Sequence, residues 1–90
     1  MNKGELIDIV AGATGESKAT VGRILDATID GITVAVAEGD KVSFTGFGTF
    51  ERRHRMARVG RNPQTGAEVK IEAANVPAFK AGKAFKDAVR

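Results

Sequence analysis

The chain contains no cysteine, no tryptophan and no tyrosine, and only one histidine and two prolines among its 90 residues. Without cysteine, disulfides and thiolate metal sites are excluded, and a lone His54 excludes a histidine-cluster site. Neither a metal nor another cofactor is expected. His54 has no second His, no Cys and no cluster of acids beside it, so it reads as a surface residue and not as a catalytic base. No enzyme activity is expected. No apolar run approaches the length of a membrane span, and Glu5 and Asp8 interrupt the first apolar stretch, unlike a signal peptide. The expected location is the cytoplasm, with which the lack of cysteine agrees.

What remains is short and unevenly charged. Ninety residues make one domain at most, and a chain of that size hides a limited share of its surface. With disulfides and metals excluded, oligomerisation is the remaining source of stability. The net charge of +3 conceals an asymmetry. Residues 1–45 hold four Lys/Arg against seven acids, net −3, whereas residues 46–90 hold ten against four, net +6. A polyanion partner on one side of the molecule is implied.

The pattern along the chain predicts an α+β fold. Asn2 with Glu5 three residues later is an Asn version of a capping box, Leu6, Ile9, Val10 and Ala13 follow at helical spacing, and Gly15 is the stop. Ser17 caps a second helix with an apolar stripe of Val21, Ile24, Leu25, Thr28, Ile32, Ala35 and Val36, ended by Gly39-Asp40. Gly22 and Gly31 inside it each cost about 1 kcal/mol against Ala, which close helix packing would explain. Val42-Ser43-Phe44 and Phe47-Gly48-Thr49-Phe50 are two strands joined at Gly46, the second running on through Glu51 to Arg58. Asn62-Pro63-Gln64-Thr65-Gly66 is a turn with Pro at its second position and a Gly suited to a bulge. Val69 to Glu72 return, Val76 to Lys80 form a third strand, and Gly82 to Arg90 a short final helix. The result is a two-helix base, a three-stranded antiparallel sheet with a protruding β-ribbon arm at about 53–73, and a C-terminal helix. Residues 1–45 form the helical dimerisation base and first strand, and residues 46–90 the sheet, arm and last helix.

The arm carries the chemistry. Arg52, Arg53, Arg55, Arg58, Arg61 and Lys70 lie on it with His54 among them. A weakly hydrated, planar guanidinium suits the strong negative potential of a narrow minor groove. Mere solubility does not call for charge of nearly one sign. Arg55, Arg58 and Arg61 are three apart and would alternate faces in a regular strand, unless twist or a bulge gathers them on one side. Pro63 at the tip is a turn former, and its apolar ring can also wedge into a base step. Lys80, Lys83 and Lys86 lead into a helix N-terminus, as at phosphate sites, although alone they would fit a solvated helix face. The first two helices are not a DNA-reading helix-turn-helix, because their half of the chain is acidic. The five Phe residues fall on apolar strands and helix faces and read as core or dimer interface, not as base-stacking platforms.

Gly46-Phe47, Phe50, Arg55, Arg58, Gly60, Arg61-Asn62-Pro63 and Thr65 match, in identity and spacing, the signature of the bacterial histone-like HU/integration-host-factor family. The resemblance runs from Met1-Asn2-Lys3 through Val76-Pro77-Ala78-Phe79 to the final helix. It implies an intertwined dimer whose two β-arms enter the minor groove of duplex DNA, with a Pro63 wedge at each tip. It places groove and backbone contacts on Arg53, Arg55, Arg58, Arg61 and Asn62, and phosphate contacts from the body on Lys3, Lys80, Lys83 and Lys86. Phe47, Phe50 and Phe79 resemble dimer-core positions. Two departures stand out: the glycine pair in the second helix, which loosens the body, and Ala67-Glu68, which makes the arm less basic.

The expected function is architectural, largely sequence-nonspecific binding, bending and compaction of double-stranded DNA by a nucleoid-associated homodimer, with preference for bent, kinked or gapped DNA. The alternatives are a sequence-preferring relative of the integration-host-factor type working with a paralogue, an RNA-duplex binder, and a structural dimer without nucleic acid, which the arm charge disfavours.

Overall fold

The computed structural model describes all 90 residues. Two compact units divide the chain, residues 1–34 and residues 35–90. Helix α1 spans Lys3–Thr14. The Asn2 side chain caps it by accepting from the Glu5 N–H at 2.9 Å, and the Gly15 N–H closes it on the Ala11 carbonyl at 2.9 Å. Helix α2 spans Lys18–Ala37. The Ser17 hydroxyl accepts from the Thr20 N–H at 3.1 Å, and the N–H groups of Gly39 and Asp40 bond the Val36 and Ala35 carbonyls beyond its last turn.

In the first unit Val21 is buried at 6 % exposure, with Ile7, Ala11, Leu25 and Ile32 half-buried. Ion pairs Lys3–Asp26 and Lys18–Asp8 tie α1 to α2. The apolar stripe of α1 is not the face that its own unit covers. Leu6, Ile9 and Val10 are exposed, and Ile7 and Ala11, one turn apart, face inward instead. Ile24, Ile29 and Val34 are also open to solvent. Close packing does not explain the helix glycines. A Cβ at Gly22 would meet Ile7 at an ordinary 3.6 Å, and one at Gly31 would meet nothing within 4 Å.

The second unit is built on a three-stranded antiparallel sheet of order β1-β2-β5: β1 (Val42–Phe44), β2 (Gly48–Arg55) and β5 (Ala74–Ala81). Phe47, expected in β2, instead completes the turn from β1, its N–H on the Phe44 carbonyl at 2.9 Å. Gly48 is required by close approach: a Cβ there would overlap the Phe79 ring and lie 2.7 Å from the Lys80 carbonyl oxygen. The rings gather on this sheet. Phe50 and Phe79, directly cross-strand, are 4.8 Å apart, and Phe47 stacks on Phe85 at 4.8 Å. Phe85 belongs to α3 (Lys83–Val89). The N–H groups of Gly82 and Phe85 tie the start of that helix to the Phe47 and Gly46 carbonyls. The cluster is open on one side, with Phe47 at 47 % exposure and Phe44 and Phe79 exposed as well.

Between β2 and β5 runs a two-stranded ribbon of β3 (Arg58–Arg61) and β4 (Glu68–Ile71). The expected continuous strand through Arg58 is broken at Met56-Ala57, opposite Glu72-Ala73. Pairing stops at Arg55↔Ala74 and resumes at Arg58↔Ile71. Two residues intervene on each strand, so the register does not slip. β1 accompanies β2 only as far as Phe50. Beyond it the ladder is a two-stranded ribbon, which is marginal by itself.

Candidate nucleic-acid interface

Strand alternation sorts the cations at the root of the arm. Thr49, Glu51, Arg53 and Arg55 share one face of β2, and Phe50, Arg52 and His54 the other. The register sets Lys80 opposite Thr49, which adds a cation to the Arg53–Arg55 face. Arg53 is not free there. Its Nε donates to Glu51 Oε1 at 3.1 Å, and its Nη2 lies 3.1 Å from the same oxygen. Lys41 stands 3.7 Å from Glu51 Oε2, and the Glu51 side chain is only 15 % exposed. The Arg53 hydrogen bond holds the Glu51 carboxyl below the ordinary glutamate range. Desolvation opposes that shift, and the charges of Arg53, Lys41 and Lys80 assist it.

Arg52 has a different task from its neighbours. Its Nη1 donates to the Ala37 carbonyl at 3.1 Å, at the last residue of α2. It thus supplies the positive group that the last turn of that helix lacks. His54 Nδ1 lies 3.2 Å from Asn75 Oδ1, its direct cross-strand partner.

Further out, Arg58 and Arg61 occupy the two ends of β3. With no bulge between them, they project from opposite faces of the ribbon, Arg58 across from Ile71 and Arg61 across from Glu68. Arg55, Arg58 and Arg61 are all solvent-exposed. The structure therefore brings Arg53, Arg55 and Lys80 onto one face but does not gather the three spaced arginines on one side.

The tip is tightly made. The Asn62 N–H donates to the Ala67 carbonyl at 2.9 Å, and the Gly66 N–H donates to the Asn62 carbonyl at 2.7 Å. The Asn62 side chain accepts from the Gln64 N–H at 2.9 Å, and Thr65 Oγ1 accepts from the Ala67 N–H at 3.2 Å. Gly66 has φ +71°, a conformation that strains any residue with a Cβ. Pro63, within this turn, is exposed. Arg61 Nη1 reaches the Gly66 carbonyl at 3.4 Å.

Lys83 and Lys86 are exposed on α3, three residues apart on one side of the helix. Lys3 belongs to the first unit, where Asp26 holds it. Glu51, Lys41 and the anchoring role of Arg52 were missed by sequence reasoning. Period-two spacing of Glu51 and Arg53 on a strand was the available signal for the first. No group of three or more His, Cys, Asp or Glu could hold a metal, and no helix is long and apolar enough to cross a membrane.

Comparison with known proteins decides the family. The family described as Bacterial DNA-binding protein matches residues 1–90. The chain is 60 % identical over 90 residues to DNA-binding protein HU-alpha of Vibrio proteolyticus, covering all of both chains. The chain belongs to the bacterial HU family. It is 57 % identical over 89 residues to HU-beta of Escherichia coli K12, covering 99 % of each chain. Its fold matches an HU from Anabaena, solved as a cocrystal with DNA, at a TM-score of 0.92 and 49 % identity over 99 % of this chain and 97 % of that one. HU from Thermotoga maritima matches at a TM-score of 0.71 and 39 % identity over both full chains. This HU-family chain is accordingly a DNA-binding protein with an α+β fold, and not an enzyme.

Proposed function

We propose that this HU-family protein is an architectural factor that binds duplex DNA with little sequence preference and bends it through paired minor-groove arms. The observation that carries the reading is the arm itself. It is a ribbon of unbroken register with Arg55, Arg58 and Arg61 exposed, ending in a turn that leaves Pro63 exposed. Because Arg58 and Arg61 point to opposite faces, a ribbon lying inside a groove would offer a cation to each wall, whereas one lying on a flat surface would waste half of them. Arg53, Arg55, Arg58, Arg61 and Asn62 are the proposed groove and backbone contacts, and Pro63 the wedge. Lys3, Lys80, Lys83 and Lys86 are the proposed phosphate contacts of the body.

The protein acts as a homodimer in this reading, with Phe47, Phe50 and Phe79 at its core. The half-open aromatic cluster and the exposed Leu6, Ile9, Ile24 and Ile29 support it, because a second copy would cover apolar surface that one chain leaves wet. Residence on the nucleoid follows from such binding.

A wedge makes nicked or gapped DNA the better ligand, since part of the unstacking cost is already met. Electrophoretic competition should place gapped and kinked duplexes ahead of intact duplex of the same sequence, with random sequences equivalent. Equal affinity for gapped and intact duplex would remove the wedge. A single favoured sequence would move the protein to the site-specific side of the family, and preference for an RNA duplex would overturn the reading.

A further inference from the structure

We propose that Met56 is an oxidation site through which hydroperoxides weaken the grip of the arm on DNA. The proposal rests on the reading of the arm as the DNA-contacting element. Three observations meet at this residue. Its side chain is 75 % exposed. It lies in the two-residue gap where the β2–β5 ladder has stopped and the β3–β4 ladder has not begun, so strand pairing does not hold it. The chain has no cysteine, tryptophan or tyrosine and only two methionines. The readily oxidised side chains are therefore the thioethers of Met1, in the first unit, and Met56, on the arm between Arg55 and Arg58.

The chemistry balances without a cofactor. The Met56 sulfur attacks one oxygen of the hydroperoxide with its lone pair, an S–O bond forms as the O–O bond breaks, and the leaving oxygen takes the proton as water or an alcohol. Sulfur loses two electrons and the peroxide gains them. The product replaces a flexible apolar group with a polar one whose oxygen is a strong hydrogen-bond acceptor. Arg55 precedes Met56 in the chain and Arg58 follows two residues on, both solvent-exposed. A guanidinium that donates to the sulfoxide is withdrawn from phosphate. DNA in turn shields the sulfur, so bound protein resists the reaction that free protein undergoes.

The test treats the full-length protein with hydrogen peroxide, alone and with saturating duplex, and follows each methionine by peptide mass mapping against added N-acetylmethionine. Duplex should slow oxidation of Met56 by about tenfold or more. Fully oxidised protein should bind the same duplex about three- to tenfold more weakly. Enzymatic reduction of the sulfoxide should restore binding, and Met56→Leu treated identically should bind as untreated protein does. Equal oxidation of Met56 with and without duplex would overturn the proposal, as would undiminished binding by the oxidised parent. A weakening of Met56→Leu on oxidation would assign the effect to Met1 and overturn it too. Failure of unoxidised protein to bind duplex would sink the underlying reading as well, which separates the two.

Discussion

A carboxylate on the face that carries Arg53, Arg55 and Lys80 needs a reason, and Glu51 has one. With a side chain only 15 % exposed, it retains its charge because Arg53 hydrogen-bonds it and Lys41 and Lys80 stand near. A phosphate that competes for Arg53 competes with Glu51. Stability should carry the signature of this arrangement. A glutamate whose pKa is lowered on folding stabilises above its unfolded pKa, and that contribution is lost as pH falls through its folded value. Glu51→Gln should therefore melt below the parent at neutral pH, with the difference closing as pH drops through and below the ordinary glutamate range. Thermal unfolding followed by circular dichroism from pH 7 to pH 3 measures this. A gap independent of pH would mean that the ionised pair contributes nothing. Charge counting shows that residues 46–90 are basic but not which arginines are free. Arg52 and Arg53 are adjacent, yet one caps a helix and the other holds an acid, because strand alternation sends them to opposite faces.

At the level of elements, the helices were the most legible parts. Asn2, Ser17, Gly15 and Gly39 act through local hydrogen bonds that neighbouring residues decide. The turn around Pro63 and Gly66 was legible for the same reason. The break at Met56-Ala57 was not: the ladder continues five residues past Phe50, the last residue that β1 pairs, before it stops. The face of α1 that its own unit covers was not legible either. Leu6, Ile9 and Val10 form an apolar set as regular as Ile7 and Ala11, and periodicity alone cannot say which set its own chain covers. The arm should open at low free energy, because it has few apolar contacts and a gap in its ladder. Limited trypsin digestion should cut first after Arg55, Arg58 or Arg61, with duplex DNA protecting those bonds. First cleavage after Lys18 or Arg23 in α2 would contradict this.

The whole molecule presents an imbalance that one chain does not resolve. Only Val21 and Val36, the latter at 9 % exposure, are buried apolar side chains, and no side chain is fully buried. A core of that size is small for a stable fold, whereas the exposed isoleucines and half-open phenylalanines are ready for a partner. Sedimentation at micromolar concentration should give twice the chain mass, and a stable folded monomer would exclude the dimer. The expectation of a dimer came from the chain length and the lack of any covalent or metal staple.

The central claim is that the arms do more than hold DNA. Phosphate contacts give affinity, but a sharp bend of 40–90° costs on the order of 1–6 kcal/mol, and opening a base step costs a few more. In the proposed reading a wedge keeps the step open, and Pro63, exposed in the turn of the arm, is the group assigned to it. The direct measurement is energy transfer between dyes at the two ends of a short duplex, at saturating protein. The parent should bring the ends markedly closer, and Pro63→Ala should still bind but leave the duplex nearly straight. Pro63→Gly, which loosens the turn further, controls for turn flexibility. If Pro63→Ala bends DNA as far as the parent does, the proline only forms the turn and the wedge account is wrong.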